Sequence, residues 1–212
     1  MISSLPDWWP YLTQAAFRTL GFLGLLWAIS FPVGFVLSML LASRRSFARL
    51  LTTFAELLYA TPQLAILFFF YYSFQARVGI SLSPYVSLLI VLGAFTSVIA
   101  ASILLDEMRQ VVSRFSETVQ GACLSETHFV RRVVVPLASR NAVPRIVGLA
   151  VTTVHLSMFG SLIGVSDLFR EAQRVNAEVM EPIEVFSTMA LGYILICAPL
   201  FMLGRYLNRM RL

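Results

Sequence analysis

Lysine is absent from this 212-residue chain, and charge of either sign is scarce at 13% of residues. A soluble domain carries about twice that share. So few charges cannot cover a water-facing surface, which excludes a soluble globular domain. Cysteine is almost as rare. Cys123 lies in a polar stretch and Cys197 in an apolar one, so the two are not expected to pair, and no disulfide framework or metal cluster is readable. The chain has only two histidines. It has no His-Glu-x-x-His, glycine-rich phosphate loop, Cys-x-x-Cys or nucleophile–base pair, which excludes the common enzyme chemistries that such motifs announce. Met1–Tyr11 has no basic patch and does not read as a cleaved signal peptide.

What is present is apolar. Hydrophobic residues make up 58% of the chain and the mean hydropathy is +0.80. A helix needs about 20 mostly apolar residues to cross a bilayer. Five uncharged runs reach that length: Thr19–Ser43, Leu57–Ala76, Val78–Leu105, Ile146–Ser166 and Val185–Gly204. They predict an all-α integral membrane protein, one transmembrane domain over 1–212 with five spans at 15–43, 49–76, 82–106, 140–166 and 183–207. The second span is expected to begin near Arg49 and to carry Glu56 in its first turns. Gly79–Pro84 (GISLSP) reads as a short hairpin connection. Trp8, Trp9 and Tyr11 read as an interfacial aromatic belt.

The arginines sort by loop. Arg44, Arg45 and Arg49 follow the first run, six more lie between the third and fourth, and Arg205, Arg209 and Arg211 follow the fifth. Only Arg18, Arg77, Arg170 and Arg174 fall on the opposite side. The positive-inside rule puts the richer side in the cytoplasm, with the N-terminus outside and the C-terminus cytoplasmic. The net charge of +5 therefore describes topology, not a nucleic-acid partner.

Ionisable groups inside a membrane are costly and mark pathways. His155 is the one such group deep in a run; it reads either as a pathway residue or as a neutral histidine packed between helices. Glu56, Asp106 and Glu107 sit at span ends, where solvation or pairing with nearby arginine is expected. Gly160 and Gly164 have the GxxxG spacing that lets helices approach, and Pro32, Pro62 and Pro199 are expected to kink or end spans. The stretch 107–139 is too long for a connector. Ser116–Val130 has helical spacing, with Ser113 or Ser116 as a candidate N-cap. Such a helix suits docking to a soluble partner or lying on anionic lipid.

Within that stretch Glu117–Pro144 reads ETVQGACLSETHFVRRVVVPLASRNAVP. It resembles the cytoplasmic "EAA" loop of ABC-importer permease subunits, in the polar amino-acid and opine branch (histidine/glutamine type). Glu117 falls on the motif's Glu, Thr118 and Val119 on its two Ala. Leu124 and Ser125 follow as in the family, and Arg131, Arg132, Pro136, Ala138, Arg140, Ala142 and Pro144 fall in register, while the motif's Gly lands on Cys123. Further matches are Glu56 with Thr61–Pro62, Leu82–Pro84, Ser161–Leu168 (SLIGVSDL) and Pro182–Val185 (PIEV).

The resemblance implies a MetI-like type I ABC permease fold in the bacterial cytoplasmic (inner) membrane. It implies an ATPase subunit dimer, a second permease subunit and a periplasmic or lipid-anchored solute-binding protein as partners, besides membrane lipid. ATP and Mg are then used by the ATPase, and this chain binds no cofactor and catalyses nothing. The residues implied at the ATPase contact are Glu117, Thr118, Val119, Gly121, Cys123, Leu124 and Pro136.

Departures from the family pattern fall in spans three and four. The family's Asn, Glu and Arg land on Phe95, Ser102 and Leu105, its Gly pair on Asp106 and Glu107, and its Lys-Asp-Thr-Ser on His155–Met158. Ser102, His155 and Ser157 remain as the candidate substrate-pathway residues. Either a paralogue in a heteromeric pair holds the solute, which is the preferred expectation, or the solute differs or is not gripped in the membrane at all. A stand-alone carrier or channel is the alternative reading, though no inverted repeat is evident and His155 is the one intramembrane ion site available. A membrane enzyme built on His155 with Ser157 or Thr152 lacks an acid to orient the histidine.

Overall fold

Long apolar stretches with few glycines leave the backbone one way to satisfy its own polar groups in lipid, the helix. The computed structural model describes residues 6–42, 45–121 and 126–209, leaving out the side chains of residues 45, 116–121 and 126–127. All regular structure among the described residues is helical. The helices are α1 (Trp9–Ala42), α2 (Arg45–Ala60), α3 (Gln63–Phe68), α4 (Gln75–Val78), α5 (Pro84–Gly121), α6 (Glu126–Phe129), α7 (Val135–Ser157), α8 (Gly160–Ile163), α9 (Leu168–Val179) and α10 (Pro182–Arg209). Wide π turns over Phe69–Phe74 and Val130–Val134 join α3 to α4 and α6 to α7. Among the described residues four helical stretches are long and apolar enough to cross a membrane, and a fifth is added if one bent pair counts as a span.

That pair is the expected second span. It breaks at Thr61–Pro62, where the helices over Ser46–Ala60 and Gln63–Val78 bend by 96°. Pro62 has no N–H to continue the helix and disfavours helical backbone at Thr61. Its own carbonyl then accepts from the N–H groups of Ala65 and Ile66 at 3.0 and 3.3 Å, starting α3 afresh.

The chain divides into two compact units. The first comprises Met1–Ala28, Thr61–Gly93 and Val151–Pro199. Its hairpin turn forms where Gly79 ends α4 with a left-handed φ of 73°, a conformation that suits glycine. Gln75, buried, locks that turn: its Nε2 donates to Ser87 Oγ at 2.8 Å and its Oε1 accepts from Leu82 N–H at 2.9 Å. Trp27 Nε1 donates to Thr153 Oγ1 at 2.8 Å, joining α1 to α7. Thr19 Oγ1 accepts from Leu168 N–H at 3.0 Å, joining α1 to the start of α9. In α9 the buried side chains Leu168, Ala172 and Val175 form one stripe, while Arg174 pairs with Glu171 and lies 5.4 Å over the Tyr11 ring.

The GxxxG spacing serves two different ends in this unit. A Cβ at Gly160 would lie 2.5 Å from Leu88 Cδ2, so Gly160 permits a close approach to α5. Gly164 instead terminates α8 with φ 103°. The two glycines are thus not a packing stripe along one helix.

The second unit comprises Ile29–Ala60, Ala94–Ala150 and Leu200–Leu212. Here α1 crosses α5 with Gly34 against Ser97, Ala100 and Ala101. Met108, Val111, Phe129, Val134 and Ala138 form a buried core, with Met39, Phe115, Val133, Val135 and Leu137 packed around it.

Candidate coupling segment and pathway residues

The core around Met108 and Phe129 joins two helical arms. One is the C-terminal part of α5. The other is α6, the following π turn and the start of α7. Residues 116–125 connect these arms in the sequence, and the apolar contacts hold the two arms together. Glu117, Thr118, Val119 and Gly121 fall in the last turns of α5, and Cys123 and Leu124 lie outside the described residues. Pro136 is exposed in the first turn of α7. It has no N–H to give the carbonyl four residues back, and its ring would crowd that carbonyl. The wide turn over Val130–Val134 lies immediately before it.

The candidate N-caps do not act as such. Ser113 and Ser116 lie inside α5, which continues to Gly121, and Ser113 Oγ donates back to Gln110 O at 2.9 Å. Asp106 and Glu107 lie within α5 and face Arg145 on α7. Its guanidinium lies 3.6 Å from Asp106 Oδ2 and 3.5 Å from Glu107 Oε1, and Arg109 adds a 3.6 Å contact to Asp106. These separations are ion pairs rather than tight hydrogen bonds. Where the family has two glycines, this chain ties α5 to α7.

The pathway candidates fall in different units. Ser102, half-buried in the second unit, donates to Ile99 O at 2.8 Å. His155 and Ser157 belong to the first unit, two residues apart on α7, a spacing that does not share a face. His155 is exposed, with Nε2 3.9 Å from Cys197 Sγ on α10. Ser157 is buried, donates to Val154 O at 2.8 Å and lines a cavity of about 630 Å³. Cys197 carries a free thiol.

A family profile, described as the binding-protein-dependent transport system inner membrane component, matches residues 30–211. The chain belongs to that family. It is 29% identical over 214 residues to the L-cystine transport system permease protein TcyB of Bacillus subtilis, covering 96% of this chain and 87% of that protein. It is 24% identical over 186 residues to the glutamine transport system permease protein GlnP of Escherichia coli, covering 84% and 85%. The fold matches a chain in a crystal structure of an amino acid ABC transporter with histidines, at TM-score 0.80, 19% identity and 96% and 94% coverage. It also matches the MetNI methionine ABC transporter in an inward-facing form, at TM-score 0.68, 15% identity and 93% and 95% coverage. The chain is thus an inner-membrane permease with the expected MetI-like helical fold.

The Arg145 tie escaped the sequence reading, which saw six loop arginines as topology and left the span-end acids with no named partner. Glu107 is the more buried of its two acids, with 8% of its side chain exposed. Arg145→Met is expected to lower stability by about 1–2 kcal/mol, because a nearly buried carboxylate loses a cation while the exposed Asp106 loses little. Adding Glu107→Gln should recover part of that loss. A double-mutant cycle on thermal midpoints of the detergent-purified subunit measures it, and additive effects would show that Arg145 and Glu107 do not interact.

Proposed function

We propose that this chain is a membrane-spanning permease subunit of an ATP-driven importer for polar amino acids or related small solutes. It works as one half of a heteromeric pair and couples to the ATPase through Glu117–Pro136. The observation that carries this reading is the family match over residues 30–211, together with relatives that carry L-cystine and glutamine. The distribution of arginine supports an orientation with the 107–139 segment in the cytoplasm, where an ATPase dimer would dock. The binding protein would then deliver solute to the opposite face.

In this reading the ATPase draws on ATP and Mg, and the permease moves as a rigid body when the ATPase closes. The apolar core between the two helical arms suits that role, since packed arms transmit a displacement rather than absorb it. Heteromeric pairing rests on the loss of polar groups at Phe95, Ser102 and Leu105 and on His155 in span four. Ser102, His155 and Ser157 are the remaining pathway candidates.

The test is ATP-driven uptake by the assembled importer in liposomes. Glu117→Arg or Gly121→Leu is expected to cut uptake about tenfold or more while ATP hydrolysis continues. Normal uptake in both variants overturns the coupling assignment. Uptake that needs no ATPase subunit overturns the importer reading. Recovery of two differently tagged copies of this chain in one complex overturns the heteromer.

A further inference from the structure

The cavity beside Ser157 is lined entirely by residues of the first unit, drawn from α1, the start of α5, the end of α7 and the turn before α9. About 630 Å³ falls within the 300–1,000 Å³ of small-molecule sites, which are mostly apolar with a few placed polar groups. Its apolar wall is fixed by Phe22 and Tyr85, whose rings meet edge to face at 5.2 Å and 83°. Its polar groups are of two kinds. Arg18 is exposed and brings a guanidinium, held at one nitrogen by Gln14 Oε1 at 2.8 Å. Asp167 brings a carboxylate and is 5% exposed.

Asp167 is only half used by the fold. Its Oδ1 accepts from Arg170 N–H at 2.8 Å and caps α9. Its Oδ2 is buried and has no hydrogen-bond partner among the described residues. A buried acceptor left unmet costs free energy, and an asparagine or serine would cap the helix as well. The cap therefore accounts for one oxygen and not for the acid. An ammonium group in the cavity would give the Asp167 carboxylate a counter-charge, while the Arg18 fork suits a carboxylate or phosphate.

We propose that this cavity binds a zwitterion, its ammonium on Asp167 and its anionic group on Arg18, at the ends of the spans. This rests on the permease reading above, in which the cavity opens toward the face that receives solute and serves as an entry site. The loss of charge within spans three and four is consistent with recognition at the span ends instead. The same chemistry fits a free amino acid and a phosphatidylethanolamine headgroup.

The experiment uses the assembled importer without its binding protein, in nanodiscs of phosphatidylglycerol alone. Binding of radiolabelled L-glutamine, L-cystine and phosphoethanolamine is measured up to millimolar concentration. Saturable binding of any of the three, weakened about tenfold or more in both Asp167→Asn and Arg18→Gln, is the expected result, since each variant removes one charge-assisted contact. Binding of an amino acid assigns the entry site, and binding of phosphoethanolamine alone assigns a headgroup site. Arg18 is exposed, so Arg18→Gln leaves folding intact even where Asp167→Asn alters it. Absence of binding by all three probes, or binding unchanged in either variant, overturns the proposal. ATP-driven uptake by the same complex in sealed liposomes, with its binding protein added, separates the two readings. A wild-type complex that transports without cavity-dependent binding overturns the cavity alone, and one that shows no ATP-driven uptake overturns the importer.

Discussion

Gly34→Leu is expected to abolish recovery of folded subunit, and Gly34→Ala to cost about 2–3 kcal/mol, the upper part of the range for overpacking a filled interior. A Cβ at position 34 would lie 2.8 Å from Ala100 Cβ, 2.8 Å from the Ser97 carbonyl oxygen and 3.3 Å from Ala101 N. Two of these three atoms are backbone and the third is a Cβ, so no rotamer change relieves the contact. Ala100 and Ala101 are 1% and 0% exposed, which closes the route of pushing them outward. α1 and α5 must separate, and the dispersion contacts along their crossing weaken together. Gly24 on the same helix provides the control, because nothing lies within 4 Å of its added Cβ. Gly24→Ala should therefore stabilise by about 0.5–1 kcal/mol through helix propensity alone. Thermal unfolding of the purified subunit in detergent reads both variants, and equal midpoints would sink the close-approach argument.

Gly34 also marks where sequence reading stops. A glycine in an apolar run is visible, but whether it faces a neighbouring backbone or open space depends on which helix crosses there. Hydropathy alone carried the helices, since length and absence of charge are local properties. Pro62 was legible as an interruption for the same reason, though the size of the bend was not. Asp106 and Glu107 were expected to be solvated or to pair with nearby arginine, and they do pair; what was not legible was that Arg145, from a distant part of the chain, is the partner they share. Ser113 has a favourable N-cap identity but sits mid-helix, bonded back one turn. Arg18 was visible only as a count for its side of the membrane, and Asp167 only as part of the Ser161–Leu168 match. The signal that could have singled out Asp167 was its place in SLIGVSDL, an acid directly before the amphipathic stretch that becomes α9. Nothing local announced that the first unit would bring Arg18 to the same cavity.

Asp167→Asn is expected to raise the stability of the unliganded subunit at neutral pH and to flatten its pH dependence. Burial pushes the Asp167 carboxyl up from 3.8 to about 6, against the opposing backbone hydrogen bond from Arg170 and the Arg170 charge. The folded form therefore holds its proton over a window in which the unfolded chain has lost it. Stability from this group is fully present below pH 3.8, falls as pH rises, and is lost above about 6. The difference corresponds to about 3 kcal/mol at most. The charged groups around it are Arg170 on its own helix and Arg18 from α1 on the same cavity wall, with the Tyr193 hydroxyl near it on α10. Asparagine keeps the helix cap and cannot ionise, so the difference between the two proteins isolates Asp167 from every other titrating group. Thermal midpoints from pH 4 to 8 should converge at the acid end and separate above pH 6, with the variant higher. Parallel curves would overturn the assignment. A carboxylate held where its charge costs stability fits a group selected for binding rather than folding. A bound ammonium should reverse the order by favouring the ionised aspartate. The wild type would then gain midpoint with ligand at neutral pH and Asp167→Asn would not.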